Sequence, residues 1–299
     1  MRRTLPILIL LAAAFAAFAG SHHRWDGVNC GTCVTTLVDD VADCGDLRVI
    51  FDDRDAVRSE ENVDVGAARS LVIRASENGG IYVRRGDAPR FSVKACKAAA
   101  YGESLGSVKV RVNGDNLTTT GPSGGRWLVY FFVEMPRGAK IDLGTINGPI
   151  EVCGVDGNVL ARAENGPVSA KDSTGTIYLT TENGPVAFSG SSGEVVLRTS
   201  NGPLAVDLKN GFWEHGSLDG RTDNGPVALH IPRGYRSGVS VDTDGRSPVK
   251  CRAEDCRSGR LRYDDDDDNN RWPRHIDLGS GSRVITLTTS NGPVAIDER

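Results

Sequence analysis

From about residue 71 onward, apolar and polar residues alternate in short runs, and no stretch of that span carries a helical period. The chain therefore reads as a succession of short strands. The alternation is registered to one tripeptide. Asn-Gly-Pro occurs six times, as Asn147-Gly148-Pro149, Asn165-Gly166-Pro167, Asn183-Gly184-Pro185, Asn201-Gly202-Pro203, Asn224-Gly225-Pro226 and Asn291-Gly292-Pro293. The first four copies are 18 residues apart; the fifth follows after 23 and the sixth after 67, as if later repeats carried longer loops.

Aligned on its Asn, each repeat has an apolar row six residues before (Ile141, Val159, Ile177, Val195, Leu218, Ile285) and a second four before (Leu143, Ala161, Leu179, Leu197, Gly220, Leu287). Two before comes a row of small side chains, Thr145, Ala163, Thr181, Thr199, Thr222 and Thr289. Apolar residues return three after the Asn (Ile150, Val168, Val186, Leu204, Val227, Val294) and five after (Val152, Ala170, Phe188, Val206, Leu229, Ile296). Two strands per repeat follow, each with one face inward. The row Gly144, Arg162, Thr180, Arg198, Arg221, Thr288 is expected to face water.

Each turn Gly precedes a proline, which excludes the helical region and points to an extended conformation or one that only Gly tolerates. Asn is the natural left-handed residue there, and proline opening the next strand loses no ladder bond. An Asn-Gly pair also fits a two-residue hairpin, so an antiparallel meander is the competing expectation. Constant spacing favours stacking of like on like. The expected fold is all-β: a single-stranded β-solenoid, β-helix or β-roll-like, with coils of about 18 residues and rows of stacked Val, Thr and Asn. At about 4.8 Å per strand, eight to ten coils make a rod roughly 40 to 50 Å long.

Composition agrees with this. Of 299 residues 39% are hydrophobic, only 6% are aromatic and 36 are Gly, a lean, turn-rich β composition. A formal net charge of -4 offers no basic patch for nucleic acid. Met1-Arg2-Arg3-Thr4 leads an apolar run from Leu5 to Phe18 that ends in small residues, which marks residues 1–19 as a secretory signal peptide. No second apolar stretch predicts a transmembrane segment. The seven cysteines then fall where disulfides form, and an odd count leaves one thiol over. Cys251 and Cys256 can staple the loop between them, and the group Cys30, Cys33 and Cys44 is expected to contain another bridge, with pairing open.

Residues 20–66 read as a Cys-containing cap or tether for the terminal ladder, and 67–299 as the repeat domain with an Asp-rich insertion near 245–282. Glu77-Asn78-Gly79 is an early turn variant, and Val133-Glu134-Met135-Pro136-Arg137-Gly138 leads into the regular coils. On these segments and their order the chain resembles the bacterial putative adhesin domain, a secreted β-solenoid family of unknown function. The resemblance covers roughly residues 67–299. It implies a cell-envelope location and a non-enzymatic role, and it carries over no catalytic residue.

Several groups invite chemistry. Asp264, Asp266 and Asp268, in the run that ends in Asn269 and Asn270, could offer oxygen ligands to calcium, though the spacing is not that of a calcium-binding hand and consecutive acids usually stay solvated. Cys30-Gly31-Thr32-Cys33 has redox-pair spacing, with His22 and His23 near enough for a metal, but in an exported chain a structural disulfide is the simpler reading. The histidines are scattered and no Ser-His-acid grouping has motif support. The outward Arg162, Arg198 and Arg221 beside Glu164, Glu182 and Asp223 read as cross-coil charge pairing, and their alternation with Thr argues against a flat ice-binding Thr surface. Phe212, Trp213 and Trp272 sit where coils lengthen, as contacts for a glycan or as cover for the core. Asn116-Leu117-Thr118 is a chance-prone glycosylation sequon.

The reading that results is a non-enzymatic, exported envelope protein that binds or scaffolds an unknown protein or glycan partner, in the periplasm or at the cell surface, without a cofactor or catalytic residues. The alternatives are a polysaccharide-active β-helix enzyme and a periplasmic envelope-partner protein.

Overall fold

The structure is a computed structural model that describes residues 32–36, 41–75, 78–124, 126–244, 246–257, 261–262 and 272–299. It is all-β, as expected. Among the described residues helix is limited to single turns at Cys44–Asp46, Gly102–Leu105 and Glu254–Arg257. The strands divide between two compact units, one up to residue 166 and one from residue 167.

In the unit up to residue 166, one sheet runs in the order Ile150–Cys153, Ile81–Arg85, Trp127–Met135, Ser92–Ala99, Val57–Val63. Its first two pairings are parallel and its last two antiparallel. The second sheet is Asp156–Ala163, Lys140–Thr145, Ser70–Arg74, Asn116–Thr120, Lys109–Asn113, parallel except for the last hairpin. Thr32–Thr36, Leu47–Phe51 and Arg54–Asp55 make a small antiparallel sheet. The segment around Leu47–Phe51 packs its apolar side on Ala98, Leu128, Tyr130 and Phe132, forming a second small core on the outer side of the strands that carry them.

In the unit from residue 167, one sheet is Val168–Lys171, Val186–Gly190, Leu204–Leu208, Val227–Ile231, Val294–Glu298, Val249–Cys251, and every pair is parallel. The other is Thr174–Thr181, Gly193–Thr199, Gly216–Asn224, Arg283–Asn291, Gly238–Asp242, parallel to that point, with His275–Leu278 and Leu261–Arg262 added antiparallel. Registers put like on like: Ile177 on Val195 on Leu218 on Ile285, and Val186 on Leu204 on Val227 on Val294.

The inward rows are where the alternation puts them. Ile177, Leu179, Val186, Phe188, Leu204, Val206, Leu229 and Ile296 are 0% exposed, and the Thr row is buried as well. The strands Val186–Gly190 and Leu204–Leu208 go further and are buried at every position, including the alternate Ala187 and Ala205. Alternation therefore holds for the first strand of each repeat and for the second strands Ile150–Cys153 and Val168–Lys171, and is lost in Val186–Gly190 and Leu204–Leu208.

Three expectations change, and the competing hairpin reading falls first. The strands flanking each Asn-Gly-Pro belong to different sheets, so the turn is a corner between sheets and not a hairpin. The turn Asn residues are not left-handed: among the described residues the non-Gly positions with positive φ are Asp52, Asp53 and Asp172. Nor do the turn glycines have positive φ. Glycine is required by close approach, since a Cβ on Gly202 would lie 1.9 Å from the carbonyl oxygen of Gly184 and one on Gly148 would lie 2.0 Å from that of Gly79.

The second change concerns chain path. Large mixed sheets, with antiparallel pairs at 57–63, 92–99, 109–113 and 275–278, replace a uniform single-stranded solenoid over 67–299, because pairing follows complementary edges and not sequence order. Third, the 67-residue gap before Asn291 is not a longer loop. It holds the additional strands Gly238–Asp242, Val249–Cys251 and His275–Leu278, which lie beyond the last repeat in the ladder.

Candidate binding faces

The corner row is closed by hydrogen bonds that each repeat supplies for itself. Asn165 Nδ2 donates to Asn147 Oδ1 at 3.0 Å in the first unit. In the second, Asn201 donates to Asn183 at 3.0 Å, Asn224 to Asn201 at 3.1 Å and Asn291 to Asn224 at 3.2 Å. The buried Thr hydroxyls donate to turn glycine carbonyls: Thr145 to Gly79 (2.6 Å), Thr199 to Gly184 (2.9 Å), Thr222 to Gly202 (2.8 Å) and Thr289 to Gly225 (3.0 Å). The carbonyls of Pro149, Pro185, Pro203, Pro226 and Pro293 in turn accept the amide that opens the neighbouring strand, Pro203 from Val186 and Pro226 from Leu204 both at 2.9 Å. The turn residues are thus structural.

Outward on the first-strand face, cations pair with acids on neighbouring strands or, for Arg221 and Asp223, on the same strand. Arg74 and Arg162 flank Asp142 at 3.1 and 3.5 Å, Arg198 meets Asp219 at 2.5 Å, and Arg221 meets Asp223 at 3.0 Å. The acids that pair with Arg162 and Arg198 sit five residues before a turn, not one, so Glu164 and Glu182 are not the partners. These pairs are half exposed and contribute little stability each. Tyr178, 43% exposed on the same face, is the aromatic presented there.

On the second-strand face the parallel register lines up Ser189, Asp207, His230 and Asp297 in one column. It is the row six residues after the turn Asn, a signal present in the repeat spacing beside the apolar rows three and five after. Asp207, with its side chain 8% exposed, pairs with Lys209 at 2.7 Å and with Arg299; Asp297 pairs with Arg252 at 3.1 Å. Burial, followed by the positive Arg299, holds the His230 imidazole below its usual range, against the opposite pull of Asp207 and Asp297. Ser189 Oγ is buried and unpartnered, out of reach of a substrate.

A second acid-histidine group forms where His275–Leu278 pairs with Gly238–Asp242. His275 Nδ1 meets Asp242 Oδ1 at 2.6 Å and its Nε2 meets Asp277 Oδ1 at 2.9 Å, with Arg283 3.1 Å from Asp277. Ser240 Oγ lies 3.5 Å from Nδ1, but a nucleophilic triad needs serine and acid on opposite ring nitrogens. Here Ser240 and Asp242 share one nitrogen, Asp277 takes the other, and Ser240 is 0% exposed. The group is a clasp between strands.

The cysteines resolve in part. Cys251–Cys256 is bonded, and Cys44 bonds to Cys96, a partner 52 residues away that the sequence did not point to. Cys153 takes part in neither bond. Cys30, the Cys33 side chain, His22, His23 and the run Asp264, Asp266, Asp268 lie outside the described residues. A cavity of about 380 Å³ adjoins Cys44–Cys96, with Leu47, Val49, Leu128 and Tyr130 as apolar lining and Arg58, Glu60 and Lys97 as its charged residues. Lys97 is already held by Glu61 at 2.6 Å, and Arg58 donates to the carbonyl of Leu47 at 2.5 Å. Trp213 is buried against Phe188, ring centres 5.9 Å apart, which is the core-covering role. Phe212 stays 43% exposed with the Arg236 guanidinium 5.1 Å over its ring.

No family model and no curated protein matches the chain. Among solved structures it is similar to a putative cell adhesion protein from Clostridium sporogenes ATCC 15579, with 11% identity, 82% of this chain and 100% of that chain covered, and a TM-score of 0.30. It is also similar to a putative adhesin from Bacteroides fragilis NCTC 9343 (9%, 81% and 97% covered, 0.34) and to one from Parabacteroides distasonis ATCC 8503 (8%, 81% and 97% covered, 0.37). These proteins carry the description to which the sequence resemblance pointed, at identities and scores that assign nothing to any residue of this chain.

Proposed function

We propose that this chain is a non-enzymatic, adhesin-like protein of the cell envelope that binds or scaffolds a protein or glycan partner through its sheet faces. The observation that carries the reading is the state of its chemistry-bearing side chains. The outward carboxylates Asp142, Asp219, Asp223 and Asp297 are each held by a guanidinium, and the serines beside histidines are buried. Such faces present shape and paired charge for recognition, and among the described residues these carboxylates and serines do not form an acid and nucleophile set for proton transfer. In the same reading, residues 168–204 wind as successive 18-residue coils of a solenoid and the next coil takes 23 residues, residues 1–19 direct export, and the disulfides belong to an oxidising compartment.

The test is protease digestion of the tagged protein on intact source cells and on permeabilised cells, with a polysaccharide panel run in parallel. Digestion only after permeabilisation makes it periplasmic, and digestion on intact cells makes it a surface protein. Degradation of any polysaccharide, abolished by changing an outward acid, refutes the non-enzymatic reading.

A further inference from the structure

Within the unit from residue 167, strand order departs from chain order in both sheets at the position of residues 283–298, and the departure defines a slot. Val294–Glu298 lies between Val227–Ile231 and Val249–Cys251, and Arg283–Asn291 lies between Gly216–Asn224 and Gly238–Asp242. Residues 216–231 and 238–251 both precede 283–298 in the chain, yet they leave one position open between them. At about 4.8 Å per strand the flanking strands stand roughly 10 Å apart, the width of one inserted strand.

The slot reads its occupant closely. Ile285, Leu287, Val294 and Ile296 are at most 2% exposed. Asn291 Nδ2 donates to Asn224 Oδ1 at 3.2 Å, the Gly225 amide donates to the Asn291 carbonyl at 3.0 Å, and the Val294 amide donates to the Pro248 carbonyl at 3.0 Å. A Cβ on Gly292 would lie 1.9 Å from the Gly225 carbonyl oxygen, so that corner admits only glycine. What fits is a strand, an Asn-Gly-Pro corner and a second strand, with apolar residues at the four inward positions.

We propose that this slot is an exchange site, filled by residues 283–298 of the same chain or of a second copy, so that two copies pair by reciprocal transfer of the segment. Transfer keeps every contact inside the slot and alters only the path of the connection Gly279-Ser280-Gly281-Ser282, which is the general reason such exchange costs little free energy. That connection is held to Arg236 by the Ser280 and Gly281 amides, at 3.2 and 2.7 Å, and its Ser282 carbonyl accepts the Gly238 amide at 3.0 Å. Exchange requires opening both ladders, so it proceeds under mild destabilisation and is slow otherwise.

Asn224 and Asn291 stack on an exposed corner, so cysteines there report whose segment fills the slot. Full-length Asn224→Cys and full-length Asn291→Cys chains are mixed, held in sub-denaturing urea, returned to buffer, oxidised and mapped by mass spectrometry. The expected result is an inter-chain 224–291 link several-fold above that from the misregistered pair Asn201→Cys with Asn291→Cys. A peptide of residues 283–298 suppresses the link, and the same peptide with Gly292→Ala does not. The proposal is overturned if the mixed chains link no more than the misregistered pair, or if both peptides compete equally. The unsubstituted chain gives an independent readout: after the same treatment it must retain the biotinylated 283–298 peptide in preference to the Gly292→Ala peptide, and equal retention overturns the proposal.

Discussion

Gly202→Ala tests the claim that the corners select glycine for closeness and not for backbone conformation. The added Cβ would sit 1.9 Å from the Gly184 carbonyl oxygen and 2.5 Å from its carbon, both backbone atoms that cannot rotate away. Relief requires the two corners to separate by more than 1 Å, on the order of a quarter of the strand spacing. Overpacking of this kind costs about 1–3 kcal/mol. The same movement strains the 2.9 Å bond from Thr199 Oγ1 to that carbonyl, adding about 1 kcal/mol. The expected loss is therefore about 3 kcal/mol, or roughly 6 to 12 °C in Tm for a unit of this size. Urea or thermal unfolding followed by Trp213 fluorescence reads it, with Gly211→Ala as the control because a Cβ there meets nothing within 4 Å. Gly202→Asn separates the two explanations. A left-handed site prefers Asn to Ala; a crowded site accepts Asn less well than Ala. If Asn is tolerated better than Ala, or if Gly202→Ala is no worse than Gly211→Ala, the close-approach account is wrong.

Val186→Asp places a charge at a position 0% exposed and is expected to abolish the cooperative unfolding transition, whereas Arg198→Ala removes a half-exposed pair with Asp219 and is expected to cost less than about 1 kcal/mol; far-UV circular dichroism against urea compares them. Replacing Cys44 and Cys96 by Ser opens a 52-residue loop and is expected to cost about 4 kcal/mol, against about 2 kcal/mol for Cys251 and Cys256 across five residues, read as denaturation midpoints of the double variants. His230 is held below its ordinary range by burial, so it is neutral in the fold and the unfolded chain takes up the proton first. Stability is then full above about pH 6.5 and falls as acid approaches the folded pKa. His230→Gln should flatten the Tm difference between pH 7.5 and pH 5.5, and an unchanged difference would remove this residue from the account.

The inward rows, the two strands per repeat and the all-β class were legible because a period-2 pattern repeated at a fixed interval leaves few alternatives. Leu179, Val186 and Phe188 lie where that pattern placed them. The conformation of the corner was not legible. Asn-Gly suggests positive φ in isolation, while the neighbouring corner, absent from any local reading, imposes the requirement actually met at Gly148 and Gly202. Strand order was hidden for a similar reason. A parallel ladder accepts any segment with the right rows, so sequence fixes that Ile285 must stack on a residue like Leu218 but not that Gly238–Asp242 lies beyond it. The Ser189, Asp207, His230 and Asp297 column sits six residues after each turn Asn and is implicit in the repeat, whereas the His275 clasp arises only from long-range register.

The out-of-order strands also bear on how open ladders are closed. Val57–Val63 ends one sheet with Arg58, Glu60 and Glu61 along it, and Lys109–Asn113 ends another with Lys109 and Arg111. In the unit from residue 167, the ladders end in Val249–Cys251, three residues long and tied to Cys256, and in the two-residue Leu261–Arg262. Short, charged or tethered edges resist pairing with another chain. A partner that bound by adding a strand would have to overcome those features, whereas one that docked on a face meets paired charge and Tyr178 on rigid backbone. The edges thus favour face recognition, and they leave the slot around residues 283–298 as the place within this unit where a further strand pair finds a complementary ladder on both sides.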